Sequence, residues 1–148
     1  MMAKLSQTNT NPNYAFREVA QSILVVEDDI LVNELMADVV RTLGYQPLTA
    51  YDADSALSIL DAARHELVCI ILDFEIPGMH AANIIRYVRE RRKDLRLILS
   101  SGHEQDTIEA QVPMSEISCF IPKPFHLKRL EQDISNVLNT GGESKARE

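Results

Sequence analysis

The chain has 148 residues, of which 45% are apolar, and a formal net charge of −7. This length suits one domain with a substantial core, and the apolar fraction excludes a globally disordered chain. The acidic balance argues against a broad, sequence-independent nucleic-acid interface, and no stretch is long and apolar enough to cross a membrane.

The first predicted strand is the most informative segment of the chain. Residues 23–26 form an apolar run that is typical of a strand buried on both faces of a parallel sheet. Glu27, Asp28 and Asp29 follow directly. Carboxylates without partners cannot lie in such a strand, so the strand must end here and place them at one rim of the sheet. Asp29 is better placed as the N-cap of the helix that follows.

Strand and helix patterns alternate along the rest of the chain. The other predicted strands are Tyr45–Ala50, Leu67–Leu72, Leu95–Leu99 and Ser118–Ile121. The predicted helices span residues 29–43, 54–63, 81–91 and 104–111, with a last helix from 127 that Gly141 and Gly142 end. Pro47 indicates an edge position for the second strand, and Pro113 ends the fourth helix. Asp52 or Asp54 caps the second helix.

Polar segments flank this pattern. Residues 1–20 are rich in Asn, Thr, Gln and Ser and are predicted to be a flexible tail, and residues 140–148 form a second polar tail. The folded domain is therefore predicted to span residues 21–139. The C-terminal tail is too short for a DNA-binding or catalytic module, so we expect either a stand-alone domain or one cut from a longer protein.

Several groups of residues are interpreted as structural. Cys69 and Cys119 each lie in an apolar run, which indicates buried cysteines rather than a disulfide or a metal pair. Free thiols and the lack of a hydrophobic signal segment predict a cytoplasmic protein. A basic cluster is interpreted as a solvated helix end: Arg86, Arg89, Arg91, Arg92 and Lys93. Three histidines lack metal-ligand spacing and are interpreted as loop residues: His80, His103 and His126.

Five strands that alternate with five helices predict a doubly wound parallel sheet with helices on both faces. Ligand sites of such open sheets lie beyond the carboxyl ends of the strands. The residues expected to converge there are Glu27–Asp29, Asp73, Ser100–Gly102 and Lys123. Because two of these strands end in carboxylates, the pocket is predicted to suit a hard divalent cation.

Four segments together resemble the receiver domain of two-component response regulators. They are Leu24–Asp28, Leu72–Asp73 followed by Pro77–Met79, Leu99–Gly102, and Pro122–Phe125. The resemblance covers residues 21–139, with all four segments in order and in register. It implies a flavodoxin-like α/β fold, in which a five-stranded parallel sheet of order 2-1-3-4-5 is covered by five helices.

The resemblance assigns the acidic residues to phosphoryl chemistry. Asp73 matches the phosphoacceptor. Glu27 and Asp28 match the acid pair that binds Mg²⁺ (or Mn²⁺), Asp28 directly and Glu27 through water. The backbone carbonyl of Glu75 would complete the protein ligands. An ordinary loop carboxylate is the alternative for Asp73 taken alone.

The same resemblance assigns roles to three residues of the last two strands. Lys123 would place its positive charge on the phosphoryl oxygens or on Asp73, and Pro124 matches a proline that follows a cis peptide. Ser101 matches the hydroxyl that binds the phosphoryl group, and Ser100 is the weaker candidate. Phe120 matches the switch aromatic, with core packing as the alternative.

These roles imply a signalling switch rather than an enzyme, because the domain promotes only its own phosphorylation and dephosphorylation. A histidine kinase or histidine phosphotransfer protein would donate the phosphoryl group to Asp73. A face made by helix four, strand five and helix five would then bind an unidentified downstream protein or form a dimer, and both options stay open. No direct contact with nucleic acid or membrane is expected.

Departures from the family pattern keep one alternative of the same fold open. His80 and Ala81 stand where the family usually has an acid and a glycine, and the fourth helix is short. The alternative is a receiver-like interaction module that takes no phosphate, which the full set of site residues disfavours. A haloacid-dehalogenase-type hydrolase would need an Asp-x-Asp motif after strand one. A flavin carrier would need a first loop rich in Ser, Thr and Gly rather than acids.

Overall fold

The computed structural model describes residues 20–140, without the side chain of Thr140. The predicted tails therefore lie almost wholly outside the described residues. The strands are β1 (Ser22–Val26), β2 (Gln46–Ala50), β3 (Leu67–Asp73), β4 (Arg96–Ser101) and β5 (Cys119–Pro122). The helices are α1 (Ile30–Thr42), α2 (Ala53–Ala62), α3 (Ala81–Arg91), α4 (Gln105–Glu109) and α5 (Leu127–Thr140). A 3₁₀ turn, Met114–Glu116, precedes β5.

All five strands are parallel, and their order is β2-β1-β3-β4-β5. The predicted fold class and strand order are confirmed. Pro47 lies in β2 at the edge of the sheet. Proline has no N–H to donate, and an edge strand tolerates this because it has a neighbouring strand on one side only. Parallel strands need crossover connections, and the helices that provide them cover both faces.

The two faces of the sheet bury separate apolar clusters. On one face, α2, α3 and α4 pack through residues such as Leu60, Ile84 and Ile108. On the other face, α1 and α5 pack through residues such as Val40 and Ile134. Successive strand residues alternate between these clusters, so the central strands are apolar on both sides, as predicted. No helix within residues 20–140 is long and apolar enough to span a bilayer.

Side chains that accept backbone N–H groups fix the starts of three helices. Asp29 accepts from Val32 N at 3.1 Å and Asp52 from Ser55 N at 2.8 Å, so both predicted caps are found. The cap of α3 is His80, whose Nδ1 accepts from Ala82 N at 3.1 Å. His80 lies outside the helix, as its interpretation as a loop residue predicts, and it has the additional role of a cap because a neutral imidazole nitrogen can accept a hydrogen bond as a carboxylate does.

Arg89 is largely buried, although the sequence analysis interpreted it as part of a solvated helix end. Its Nε donates to Glu116 Oε1 at 2.7 Å, and its guanidinium also donates to the carbonyl of Leu95 at 2.6 Å. The side chain is only 17% exposed. The guanidinium therefore ties the end of α3 to the start of β4 and to the 3₁₀ turn, because five donors in one plane can satisfy several loop carbonyls.

Two strands run further than the sequence indicated. β3 includes Asp73, and β4 continues through Ser100 and Ser101, where the apolar pattern had stopped. Asp73 pairs with Ser100 in the ladder, and Phe74 N donates to Ser100 O at 2.8 Å. Polar side chains are tolerated in these last positions because the strand ends open onto a polar pocket.

Replacing Leu60 by Ala should lower the free energy of unfolding by about 2 to 4 kcal/mol, since it leaves a cavity in a packed core. Leu60 is 2% exposed, whereas Leu31, also helical, is 66% exposed. Leu31→Ala is the matched control and should change stability by no more than about 0.5 kcal/mol. Urea denaturation measures both. Equal losses would contradict the described core.

Candidate functional site

The acidic turn after β1 is held in place by backbone and side-chain hydrogen bonds. Glu27 N donates to Ala50 O at 3.1 Å, and Asn33 Nδ2 donates to Glu27 O at 3.0 Å. Glu27 Oε2 accepts from Asp29 N at 3.1 Å. These contacts turn the Glu27 side chain into the protein, where it is 1% exposed, while Asp28 remains exposed.

Three carboxylates meet at the carboxyl ends of β1 and β3. One oxygen each of Glu27, Asp28 and Asp73 lies within 4.8 Å of the others. Glu27 and Asp73 are buried and Asp28 faces solvent, so the cluster has a closed floor and an open side. Carboxylate oxygens at this spacing are ligands that a hard divalent cation prefers. The sequence predicted this convergence, and the metal role of each residue stays a prediction.

Lys123 places one positive charge between the two buried carboxylates. Its Nζ lies 2.8 Å from Glu27 Oε1 and 3.4 Å from Asp73 Oδ1. Lys123 N donates to Ser101 O at 2.8 Å, which fixes the end of β5 beside β4. The peptide between Lys123 and Pro124 is cis, as the resemblance implied. One amine therefore pairs with two buried carboxylates, Glu27 and Asp73. Among the described residues it forms no ion pair with the third carboxylate, Asp28.

The charges of this pocket shift the pKa values of two groups. Burial and the nearby Glu27 carboxylate raise the pKa of Asp73 from 3.8 to about 6, although Lys123 and a backbone hydrogen bond from Glu75 oppose the shift. Burial lowers the pKa of the Lys123 amine, but its contacts with Glu27 and Asp73 outweigh that effect and the net pKa is raised. At neutral pH, Asp73 is therefore mostly ionised and Lys123 is charged.

The two serines that end β4 face opposite sides of the sheet. Ser101 alternates with Leu97 and Leu99 and lies on the face covered by α2, α3 and α4. Its Oγ accepts from His103 N at 2.9 Å. Phe120 pairs with Leu99 in the ladder and packs, half-buried, against the same face. Ser101 and Phe120 thus share one face, which their predicted roles require, and Ser100 lies on the other.

A pocket of about 680 Å³ opens beside the carboxylates, between the loops that follow β3 and β4. Glu75 and His103 form a side-chain contact across its mouth. The ring of Phe74 lies edge-on between His80 and His103, at centroid distances of 5.5 and 5.8 Å. His80 Nε2 is hydrogen-bonded to Gln111 Oε1 at 2.8 Å. The sequence did not reveal the contacts of His103 with Glu75 and Phe74 or that of His80 with Gln111, because each joins residues about 30 positions apart.

Gly78 lets the loop after β3 approach α2. Its φ of +104° lies in the region that favours glycine, and an added Cβ would meet Ala53 Cβ at 3.2 Å. Ala53 N donates to Pro77 O at 3.0 Å. The turn thereby brings Glu75 and His80 to the rim of the pocket. The His80-Ala81 departure is accommodated by the imidazole cap of α3 described above.

Comparisons with known proteins agree with this geometry. The chain matches the response regulator receiver domain family over residues 23–135. It is 27% identical to sensor kinase CckA of Brucella abortus over 79% of this chain and 12% of that protein. It is 30% identical to the phosphate regulon regulatory protein PhoB of Escherichia coli over 81% of this chain and 52% of PhoB. With sporulation initiation phosphotransferase F of Bacillus subtilis it shares 28% identity over 80% of this chain and 94% of the relative.

Solved structures show the same fold. A CheY-like receiver domain from Methanospirillum hungatei superposes with a TM-score of 0.74 at 18% identity, covering 84% of this chain and 98% of that one. The response regulator TrrA of Thermotoga maritima, in complex with Mg²⁺ and BeF, superposes with a TM-score of 0.69 at 23% identity over 79% and 98% of the chains. The chain spans about half of PhoB and a small part of CckA, but nearly the whole of the sporulation protein.

Replacing Asp73 by Asn should stabilise the fold at neutral pH. Because the pKa of Asp73 is raised from 3.8 to about 6, its contribution to stability is fully present below about pH 4 and is lost as the pH rises through 6. The gain from Asp73→Asn should grow over that interval to on the order of 1 to 3 kcal/mol. Denaturation with a chelator at pH 4 and pH 7 measures it. A gain that does not depend on pH would contradict the assigned environment of Asp73.

Proposed function

The chain belongs to the response regulator receiver domain family, and on that premise we propose that it is a phosphoacceptor switch of a two-component relay. Asp73 takes a phosphoryl group from the phosphohistidine of a histidine kinase or phosphotransfer protein. The reaction depends on Mg²⁺ or Mn²⁺, and it changes a face that another protein reads. The observation that carries this proposal is the meeting of three carboxylates and one lysine amine at the ends of β1, β3 and β5.

The geometry supports transfer to Asp73 rather than to another acid of the cluster. Glu27 accepts both the Lys123 amine and the Asp29 N–H, so its oxygens are already engaged. The Asp73 carboxylate is held more loosely, 3.4 Å from Lys123 Nζ. One of its oxygens attacks phosphorus, the P–N bond to the donor imidazole breaks, and the electron pair stays on the ring nitrogen. The product is an aspartyl phosphate on this chain, so the domain is not a classical enzyme.

The residues present fit a divalent cation. Glu27, Asp28 and Asp73 supply carboxylate oxygens within 4.8 Å of one another, and the Glu75 carbonyl is proposed as a further ligand. When bound, Mg²⁺ offsets the charge of these carboxylates and of the incoming phosphoryl oxygens. Lys123 supplies the remaining positive charge from the buried side. A receiver-like module that takes no phosphate would have no need of a buried, poorly paired Asp73, so that alternative is disfavoured.

Ser101 and Phe120 are proposed to pass the signal to the face made by α4, β5 and α5. The Ser101 hydroxyl, which now accepts from His103 N, would move toward the phosphoryl oxygens. Phe120 shares its face of the sheet and would turn into the space that this movement opens. The Arg89 guanidinium holds the neighbouring 3₁₀ turn through Glu116, so we expect that turn to stay in place during the change. An unidentified downstream protein or a second copy of the chain would read that face.

Treatment with a small phosphodonor and Mg²⁺ should add one phosphoryl mass to the wild type and none to Asp73→Asn. The physical reason is that an amide oxygen is far less nucleophilic than a carboxylate. Intact-mass spectrometry measures the increment. Asp54→Asn removes an exposed carboxylate of α2 and should label as the wild type does. Equal labelling of Asp73→Asn would place the acceptor elsewhere.

Removing the exposed acid of the cluster should weaken metal binding. Asp28→Ala is expected to lower Mg²⁺ affinity by about ten-fold or more, a cost of about 1.4 kcal/mol or greater. Asp29→Asn is the matched control, because it removes the adjacent charge but keeps a side chain that can cap α1. Titration calorimetry compares the two variants. Unchanged affinity in Asp28→Ala would show that the acidic turn only caps the helix.

The lifetime of the aspartyl phosphate should depend on the contact between Glu75 and His103. Together these side chains close part of the pocket mouth and are proposed to shield the phosphoryl group from water. Glu75→Ala and His103→Ala should each lose the phosphoryl group faster than the wild type. Glu104→Ala, which alters an exposed residue of the same loop, should decay at the wild-type rate. Slower decay in the first two variants would mean that the side chains assist the attacking water.

A further inference from the structure

The structure contains a buried hydroxyl on the strand next to the phosphoacceptor that the proposed function does not use. Ser100 is 1% exposed, and its Oγ has no hydrogen-bond partner among the described residues. A buried hydroxyl without a hydrogen-bond partner lowers the stability of the folded state. A functional role would explain why such a residue is present. A second serine, Ser101, already fills the place at the end of β4 that the family resemblance assigns to phosphoryl binding.

Ser100 lies on the same face of the sheet as Asp73. The two residues are register partners in the β3–β4 ladder, and partners in a parallel ladder point to the same side. The alternation of the strands agrees, because Ile71 precedes Asp73 by two positions, Ile98 precedes Ser100 by two, and both belong to the cluster under α1 and α5. Ser101, the next residue of β4, lies on the other face of the sheet, where its Oγ accepts from His103 N.

Ser100 lies at the boundary between the apolar cluster on this face and the acidic pocket. Ile98 precedes Ser100 by two positions in β4, its other register partner is Ile121, and both belong to the apolar cluster on this face. The polar side chain at its register position in β3 is Asp73, which shares the Lys123 amine with Glu27. The Ser100 hydroxyl makes no hydrogen bond within the described part of the chain, and a change of its χ1 rotamer is the movement by which it would reach the carboxylate of its register partner, Asp73.

We propose that Ser100 is an additional catalytic residue of the phosphoryl cycle, whose hydroxyl donates a hydrogen bond to the Asp73 carboxyl group during loss of the phosphoryl group. The proposal rests on the proposed function. In hydrolysis, a water oxygen bonds to phosphorus, the bond from phosphorus to the Asp73 oxygen breaks, and its electron pair returns to the carboxylate. Both protons of the water leave with the phosphate product.

The hydrogen bond matters most as the carboxylate forms. In the acyl phosphate, the carboxyl group is neutral and accepts hydrogen bonds weakly, whereas the departing carboxylate is charged and accepts them strongly. A hydrogen bond that is stronger in the transition state than in the acyl phosphate lowers the barrier to hydrolysis. Ser100 thereby acts from the buried side of Asp73, opposite to the open side on which Glu75 and His103 lie.

The test compares the decay of the aspartyl phosphate in wild type and in Ser100→Ala, Ser100→Thr and Ser22→Ala. Each protein is phosphorylated with a small acyl phosphate and Mg²⁺, the donor is removed, and intact mass is followed over time. Ser100→Ala should decay about five-fold more slowly, the contribution of one hydrogen bond of ordinary strength. Ser100→Thr retains a hydroxyl and should restore most of the rate. Ser22→Ala alters another buried serine, at the opposite end of β1, and should leave the rate unchanged.

Thermal denaturation separates this role from a structural one. Removal of an unpartnered buried hydroxyl should leave Ser100→Ala at least as stable as the wild type, so slower decay cannot then reflect a damaged fold. Wild-type decay in Ser100→Ala, or failure of Ser100→Thr to restore the rate, would overturn the inference while the proposed function stands. Absence of labelling in the wild type would overturn both.

Discussion

The site depends on one lysine amine that serves two buried carboxylates. Lys123 Nζ lies 2.8 Å from Glu27 and 3.4 Å from Asp73, and a third acid, Asp28, stands beside them at the surface. One amine cannot neutralise two carboxylates, so the pocket keeps negative charge, and burying that charge is unfavourable. The pKa of Asp73 is raised for this reason, by burial and by the Glu27 carboxylate. A divalent cation and a phosphoryl group together supply the charges and oxygens that such a pocket lacks.

The sheet makes this charge arrangement possible. Glu27, Asp73 and Lys123 lie up to 96 positions apart in the chain, and they meet only because β1, β3 and β5 run in parallel and end at the same rim. The apolar layers below fix the register of the strands, since a shift by one residue would move their side chains to the wrong face. The same alternation separates Ser100, on the side of Asp73, from Ser101 and Phe120, on the side of α4. Two adjacent serines at the end of β4 therefore lie on opposite faces of the sheet.

The sequence predicts the features that local pattern controls. Apolar runs located the strands, Asp29 and Asp52 were identified as candidate caps, Pro47 indicated the edge, and acids after two strands indicated the pocket. The features it missed depend on partners far along the chain. Neither the anchoring of Arg89 by Glu116 nor the contact of Glu75 with His103 has a local signal. The ends of β3 and β4 were placed too early because polar residues there are stabilised by the pocket and not by the apolar pattern.

The most direct test of the central claim is binding of beryllofluoride, an analogue of the phosphoryl group, followed by ¹⁹F NMR. If the pocket holds more negative charge than Lys123 can offset, the wild type should show bound fluorine signals only when Mg²⁺ is present, and Asp73→Asn should show none in either condition. Bound signals in the presence of a chelator would mean that the lysine alone balances the pocket. Their absence in the wild type with Mg²⁺ would mean that the three carboxylates do not act as one site.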